Sequence, residues 1–268
     1  SFVVTDNQTG EDGDNVTLRV RIAHIQPPSV GNIQIDFSLS DSTEASFSKT
    51  SSNNSTSLSF DKNSWDKSQT LYIYGVDDDI DDDNKSYLLS WDISFGTNPI
   101  WNFTGSDDSA NRQLSFINLD NDKAGFSLAV TDNSTSESGG TGTVTLKLLT
   151  LPFITGTDST SRKNGTGATV KMEVIVDNTS EAKIDSISGS KTKTLTFTSS
   201  SWDSPQTVTL FGQDTDDFDE GVIGETEDYL SGIYHVSAGL AEVDSSIRDV
   251  KYNAGSLDNQ TVTLWNTD

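Results

Sequence analysis

The chain is written twice, and this duplication restricts its fold more than any single motif does. Phe2-Val3-Val4-Thr5-Asp6-Asn7 returns as Leu128-Ala129-Val130-Thr131-Asp132-Asn133, and Glu11 then finds its match in Glu137. Asp41-Ser42-Thr43-Glu44-Ala45 returns as Asp177-Asn178-Thr179-Ser180-Glu181-Ala182. The longest match runs from Leu58-Ser59-Phe60 through Ser64-Trp65-Asp66 and Gln69-Thr70 to Gly75. It returns as Leu195-Thr196-Phe197, Ser201-Trp202-Asp203, Gln206-Thr207 and Gly212. Ile117-Asn118-Leu119-Asp120 is answered by Trp265-Asn266-Thr267-Asp268. The offset grows from 126 at Phe2 to 148 at Asp120, so the second copy carries insertions, placed near Thr155–Gly167 and after Glu220. The two units are 1–122 and 123–268, with a very short linker over Asn121–Gly125.

Each copy reads as seven short strands with period-2 patterning. In the first unit they are expected at about 1–5, 15–23, 32–40, 57–60, 70–76, 86–94 and 111–118. In the second they are expected at about 125–131, 142–149, 168–176, 191–197, 206–212, 229–236 and 258–265. Alternation is clean in Val16-Thr17-Leu18-Arg19-Val20-Arg21-Ile22 and in Val144-Thr145-Leu146-Lys147-Leu148. The abundance of Ser, Thr, Asn and Asp suits strands joined by polar turns and disfavours helices. The fold class that follows is all-β: two tandem seven-stranded sandwiches of immunoglobulin-like architecture, without the disulfide of antibody domains. Trp65 and Trp202, each just before the fifth strand, are expected to plug one end of the core.

Charge narrows the function classes. With 41 acidic against 17 basic residues the formal net charge is -24, which argues against nucleic acid or an anionic membrane as partner and for divalent cations. The chain has no cysteine, so neither disulfides nor thiolate metal sites are available. No apolar run approaches the roughly 20 residues of a membrane-spanning helix. The sequence opens within a strand-like segment and shows no signal peptide, so it reads as a segment of a longer or processed chain.

The acids are distributed by loop parity. In an up-and-down count the first, third and fifth loops share one end of the sandwich with the end of the last strand. In the first unit these positions carry Glu11 and Asp12, Asp41 and Glu44, the run Asp77-Asp78-Asp79-Ile80-Asp81-Asp82-Asp83, and Asp120 with Asp122. The second unit repeats the placement with Glu137, with Asp177 and Glu181, with Asp214, Asp216, Asp217, Asp219 and Glu220, and with Asp268. Carboxylates so concentrated repel one another unless water or cations screen them. Hard oxygen donors from several loops, with two isolated histidines, describe calcium better than zinc or copper, and magnesium prefers fewer protein carboxylates. The run is not an EF-hand: Asp77, Asp79 and Asp81 fit its first positions, but Asp82 stands where the turn glycine belongs and Leu88 where the closing glutamate belongs.

The order of these features resembles the Calx-β domain and related immunoglobulin-like repeats of large bacterial surface proteins and adhesins. It comprises a glutamate after the first strand, an acidic turn after the third, Phe…Trp…Gln-Thr leading into the fifth, an Asp-rich loop after it, and Asn-x-Asp closing the last. The resemblance implies a calcium cluster, with more than one ion per repeat. Its ligands would be Glu11, Asp41, Asp77, Asp78 and Asp120, with Asp79, Asp82 and Asp122 as further candidates. For the second unit it implies Glu137, Asp177, Asp214, Asp217 and Asp268, with Glu220 as a further candidate. The sequence departs from the family's small-residue turn at Asp41–Ala45, and Phe218 interrupts the second acidic loop.

The expected role is structural: a calcium-rigidified repeat pair of an extracellular or bacterial cell-surface protein, whose first ion cluster lies at the domain junction and stiffens a rod at roughly millimolar calcium. Expected partners are calcium and neighbouring repeats of the same or adjacent chains. The alternatives are a surface-layer lattice component, a calcium-sensing pair, and an adhesion module that binds a glycan or protein through Trp101, Phe103 and the long loops. No enzyme is expected, because His24 and His235 stand alone and no nucleophile or phosphate-binding motif occurs.

Overall fold

The computed structural model describes residues 1–22, 32–94, 112–153, 168–214, 232–241, 249, 251–252 and 257–267. The chain divides into two compact units, Ser1–Asp122 and Lys123–Asp268. Every element among the described residues is a strand.

In the first unit nine strands follow in order: β1 (Phe2–Val4), β2 (Gln8–Gly10), β3 (Asn15–Val20), β4 (Ile33–Leu39), β5 (Ala45–Ser46), β6 (Ser55–Phe60), β7 (Gln69–Gly75), β8 (Lys85–Ser94) and β9 (Gln113–Leu119). They form a four-stranded sheet in the order β1-β3-β7-β5 and a five-stranded sheet in the order β2-β9-β8-β4-β6. The alternation of Ile33-Gln34-Ile35-Asp36-Phe37-Ser38-Leu39 puts every apolar side chain inside and every polar one out. Opposite it, Val16, Leu18 and Val20 of β3 and Ile73 of β7 complete a core with Phe60, Tyr87, Leu89 and Phe116. Each fully buried aliphatic or aromatic side chain there contributes about 1.5–3 kcal/mol relative to exposure.

The second unit repeats the plan with β10 (Phe126–Asp132), β11 (Ser134–Ser136), β12 (Thr141–Leu148), β13 (Thr169–Val176), β14 (Ala182–Ile184), β15 (Thr192–Thr198), β16 (Gln206–Gly212), β17 (Ile233–Leu240) and β18 (Gln260–Thr267). Its sheets run β10-β12-β16-β14 and β11-β18-β17-β13-β15. Trp202 packs against this core, while Trp65 is half-buried and its backbone N–H closes a turn on the Asp61 carbonyl at 2.9 Å.

Two features differ from the sequence expectation. Among the described residues each unit has nine strands rather than seven, because β2, β5, β11 and β14 add two- or three-residue strands. The strand expected at 229–236 is Ile233–Leu240 instead: Tyr234, Val236 and Ala238 are the buried positions, and the register pairs Val236 with Val262.

Of the short strands, β2 matters most. It runs parallel to β9 with Thr9 beside Asn118 and Gly10 beside Leu119. Two parallel strands ending in register deliver the residues that follow them, Glu11 and Asp120, to the same place. The pair β11 and β18 repeats this, with Thr135 beside Asn266 and Ser136 beside Thr267.

Candidate metal centre

Glu11 leaves β2 with its backbone N–H donated to the Leu119 carbonyl at 3.1 Å, which continues the parallel pairing by one step. Its side chain is only 5% exposed. Asp120 leaves β9 and organises the segment around it. Its Oδ2 accepts the backbone N–H groups of Asp82 (3.0 Å) and Asp83 (2.7 Å), and its Oδ1 accepts that of Asp122 at 2.7 Å. Asp83 sits at φ 64°, a left-handed conformation that aspartate tolerates better than most residues and that the bond to Asp120 helps hold. The Asn121 N–H donates to Glu11 Oε2 at 3.2 Å. These contacts fold the tail 120–122 back over Glu11.

As a result, one carboxylate oxygen each from Glu11, Asp120 and Asp122 lies within 4.8 Å of the others, the one such acidic triad among the described residues. Asp122 Oδ2 is shut off from solvent and accepts no hydrogen bond from the protein. The electrostatic consequence is large. Burial pushes the Glu11 carboxyl up to about 8; Asp78, Asp120 and Asp122 add to the rise and the Asn121 amide opposes it. Burial also pushes Asp122 up to about 6, reinforced by Asp120, Asp79, Asp78 and Asp77. Asp78 is pushed up to about 6 by burial and by Asp82, Asp120 and Asp79, against the Ile80 amide. Without a counter-ion the cluster therefore holds protons at pH values where isolated carboxylates are bare.

The aspartate run contributes unevenly. Ile80 is buried and pins the middle of the loop, with its N–H on Asp78 Oδ1 at 2.9 Å. Asp78 and Asp79 act on the triad through space, and exposed Asp77 accepts the Asn121 side-chain amide at 3.3 Å. Asp82 is buried and its carboxylate pairs with Lys85 at 3.3 Å.

Asp41 is used locally. Its Oδ1 accepts the Thr43 N–H at 3.0 Å and the Thr43 hydroxyl at 2.6 Å, a side-chain turn that starts the approach to β5. The same turn in the second unit is made by Asn178, whose Oδ1 accepts the Ser180 N–H at 3.0 Å. The backbone agrees, since Ala45 bonds the Asp41 carbonyl as Ala182 bonds that of Asn178, both at 3.2 Å. Asp41 and Asn178 are thus equivalent, and Asp177 corresponds to Ser40 rather than to Asp41. Asp177 instead pairs with His235: its Oδ1 accepts the His235 backbone N–H at 2.7 Å and its Oδ2 lies 2.8 Å from Nδ1. Partial burial would raise the Asp177 carboxyl, but the hydrogen bonds from His235 outweigh it and hold the group low.

In the second unit Glu137 holds the place of Glu11, with its N–H on the Thr267 carbonyl at 2.9 Å. Asp214 follows Gln213 at the end of β16 as Asp77 follows Val76. Asp217, Glu220 and Asp268 lie outside the described residues, as do Trp101 and Phe103.

Sequence reasoning gave no role to the buried polar group beneath the triad. The Thr9 hydroxyl donates to Asn118 Oδ1 at 3.1 Å, and Asn118 Nδ2 donates to the Val76 carbonyl at 3.2 Å and to Glu44 Oε2 at 3.5 Å. The signal was present in the pairs Thr-x-Glu and Asn-x-Asp, which occur in both copies.

No family model matches the sequence, and no curated protein matches it. Among solved structures, the chain is similar to the calcium binding domain CBD12 of CALX1.1 (16% identity over 91% of this chain and 83% of that one, TM-score 0.36). It is also similar to CBD12 from CALX1.2 (16%, 87% and 78%, TM-score 0.28) and to the apo-form Calx CBD1 domain (16%, 46% and 96%, TM-score 0.27). At this identity and these scores no residue and no activity carries over from them.

Proposed function

We propose that the first unit binds calcium through Glu11, Asp120 and Asp122, with Asp78 facing the same ion, and that the chain is a calcium-stiffened structural segment of an extracellular surface protein. The observation that carries this reading is Asp122 Oδ2, a buried carboxylate oxygen with no protein partner beside two further carboxylates. Buried polar atoms are satisfied by something, and an oxygen flanked by like charges is satisfied by a cation or a proton. The donor set is all oxygen and comes from two strand ends and the segments that follow them, which suits the variable coordination of calcium. The Calx-β resemblance read from the sequence implies the same ion.

Calcium would replace protons at the triad and fix residues 120–122 against Glu11. The chain continues directly from Asp122 into Lys123, so the ordered tail limits the freedom of the linker at its first residue. Calcium sites of extracellular modules operate at about 10⁻⁴–10⁻³ M, and a structural site in a surface or secreted protein would fill in that range. Calorimetric titration of chelator-stripped protein at pH 7.5, beside Asp122→Asn, tests the reading. Binding that is lost or weakened at least tenfold in the variant supports it. Identical isotherms, or no binding by the wild type, would reject it.

A further inference from the structure

We infer that Asn118 is the positioning residue of the first unit's cation site, holding the two sheets at the separation the carboxylates need. The inference rests on the cation reading above and concerns a residue that offers no ligand itself.

Asn118 lies in β9 of the five-stranded sheet, and Thr9 lies beside it in β2. Val76 and Glu44, which accept from the Asn118 side-chain amide, flank β7 and β5 of the four-stranded sheet. The Val76 N–H also donates to the Glu44 carbonyl at 3.1 Å, so the two acceptors are locked to each other. Asn118 therefore bridges the sheets at their acidic end. Each strand end it ties lies within two residues of a carboxylate: Thr9 of Glu11, Val76 of Asp77 and Asp78, and Asn118 of Asp120. If that end opened, Asp78 would draw away from Glu11 and Asp120. Thr9, Asn118 and Glu44 are 0%, 1% and 3% exposed, so no water replaces a lost partner cheaply. The bridge also needs a bare backbone at Gly75, where a Cβ would run into Asn118 Oδ1 and the Gly10 carbonyl.

The second unit builds the same bridge. The Thr135 hydroxyl donates to Asn266 Oδ1 at 2.9 Å, and Asn266 Nδ2 donates to the Gln213 carbonyl at 3.0 Å and to Glu181 Oε2 at 3.4 Å. A Cβ on Gly212 would meet Asn266 Oδ1 and the Ser136 carbonyl. Where the side chain makes the contact, or its absence permits it, the two copies agree: Thr9 and Thr135, Asn118 and Asn266, Glu44 and Glu181, Gly75 and Gly212. Where only a backbone carbonyl is used they differ, as Val76 and Gln213.

The test is calcium calorimetry on the full chain at pH 7.5 with four variants. Glu11→Gln identifies the heat that belongs to the first unit. Thr9→Val removes the hydroxyl donor at nearly constant shape and is expected to weaken that binding roughly tenfold, while Thr9→Ser, which keeps the donor, restores affinity to within about threefold of wild type. Asn118→Ala is expected to weaken it at least as much as Thr9→Val; if it fails to fold, the Thr9 pair decides. Wild-type affinity in both Thr9→Val and Asn118→Ala, with the Glu11-dependent heat intact, overturns the positioning role and leaves calcium binding standing. A Glu11→Gln isotherm identical to wild type overturns the cation reading and the positioning role with it.

Discussion

Glu11→Gln should stabilise the cation-free first unit and remove that unit's response to calcium, two effects of opposite sign from one atom exchange. In the folded state the Glu11 carboxyl is pushed from 4.5 up to about 8, so between those pH values the native protein holds a proton that the unfolded chain has released. A group raised in this way contributes fully below pH 4.5, and its contribution is lost as pH climbs through 8. The span from 4.5 to about 8, at about 1.36 kcal/mol per pH unit, sets an upper bound near 5 kcal/mol; water around the partly exposed neighbours lowers this to roughly 2–3 kcal/mol. Glutamine keeps an oxygen to accept the Asn121 N–H and carries no charge. At pH 8.5 without calcium the variant should therefore unfold roughly 6–10 °C higher in its first-unit transition, and at pH 4.5 the two proteins should coincide. With calcium at about 100 times its Kd the wild type gains about 2.7 kcal/mol and the variant little. Differential scanning calorimetry at two pH values, with calcium or chelator, gives all four numbers. If Glu11→Gln destabilises the calcium-free protein at pH 8.5 and retains the calcium shift, the account of the triad is wrong.

The wild type without cations should lose first-unit stability as pH rises from 5 to 8.5, because Asp78 and Asp122, pushed up to about 6, add to the Glu11 effect in the same direction; calcium should flatten the profile, as thermal melts across pH would show. Gly75→Ala should cost about 2–4 kcal/mol by denaturant unfolding, since the new methyl meets the Gly10 backbone as well as Asn118. Ile80→Ala should cost about 2–3 kcal/mol and also weaken calcium binding, because the buried isoleucine anchors the loop that carries Asp78. His235→Ala should change stability by less than about 1 kcal/mol at pH 6, as expected of an exposed pair with Asp177.

How much was legible depends on whether a residue's role leaves a period. The long strands do: Ile33–Leu39 and Thr141–Leu148 alternate so regularly that their inward faces are read directly. The strands β2, β5, β11 and β14 are too short to alternate, yet β2 is what brings Glu11 beside Asp120. Residue type alone also cannot separate the two uses of aspartate. Asp41 and Asp122 are the same side chain, but the Thr43 N–H and hydroxyl turn the first into a turn-former, a task Asn178 performs equally well. The resulting one-residue slip placed Asp177 opposite Asp41, when the hydrogen bonds put it opposite Ser40. The Asn118 bridge was hidden for a related reason, since buried polar networks join distant strands and obey no spacing rule. Its trace was only the retention of Thr-x-Glu and Asn-x-Asp in both copies.

The most direct measurement is an anomalous difference map from crystals grown in calcium and soaked with terbium, a lanthanide that takes the same oxygen ligands. A peak is expected bounded by carboxylate oxygens of Glu11, Asp120 and Asp122, at about 2.3–2.6 Å from each, and absent from Asp122→Asn crystals. Strong peaks elsewhere on the acidic surface and none at this triad would contradict it.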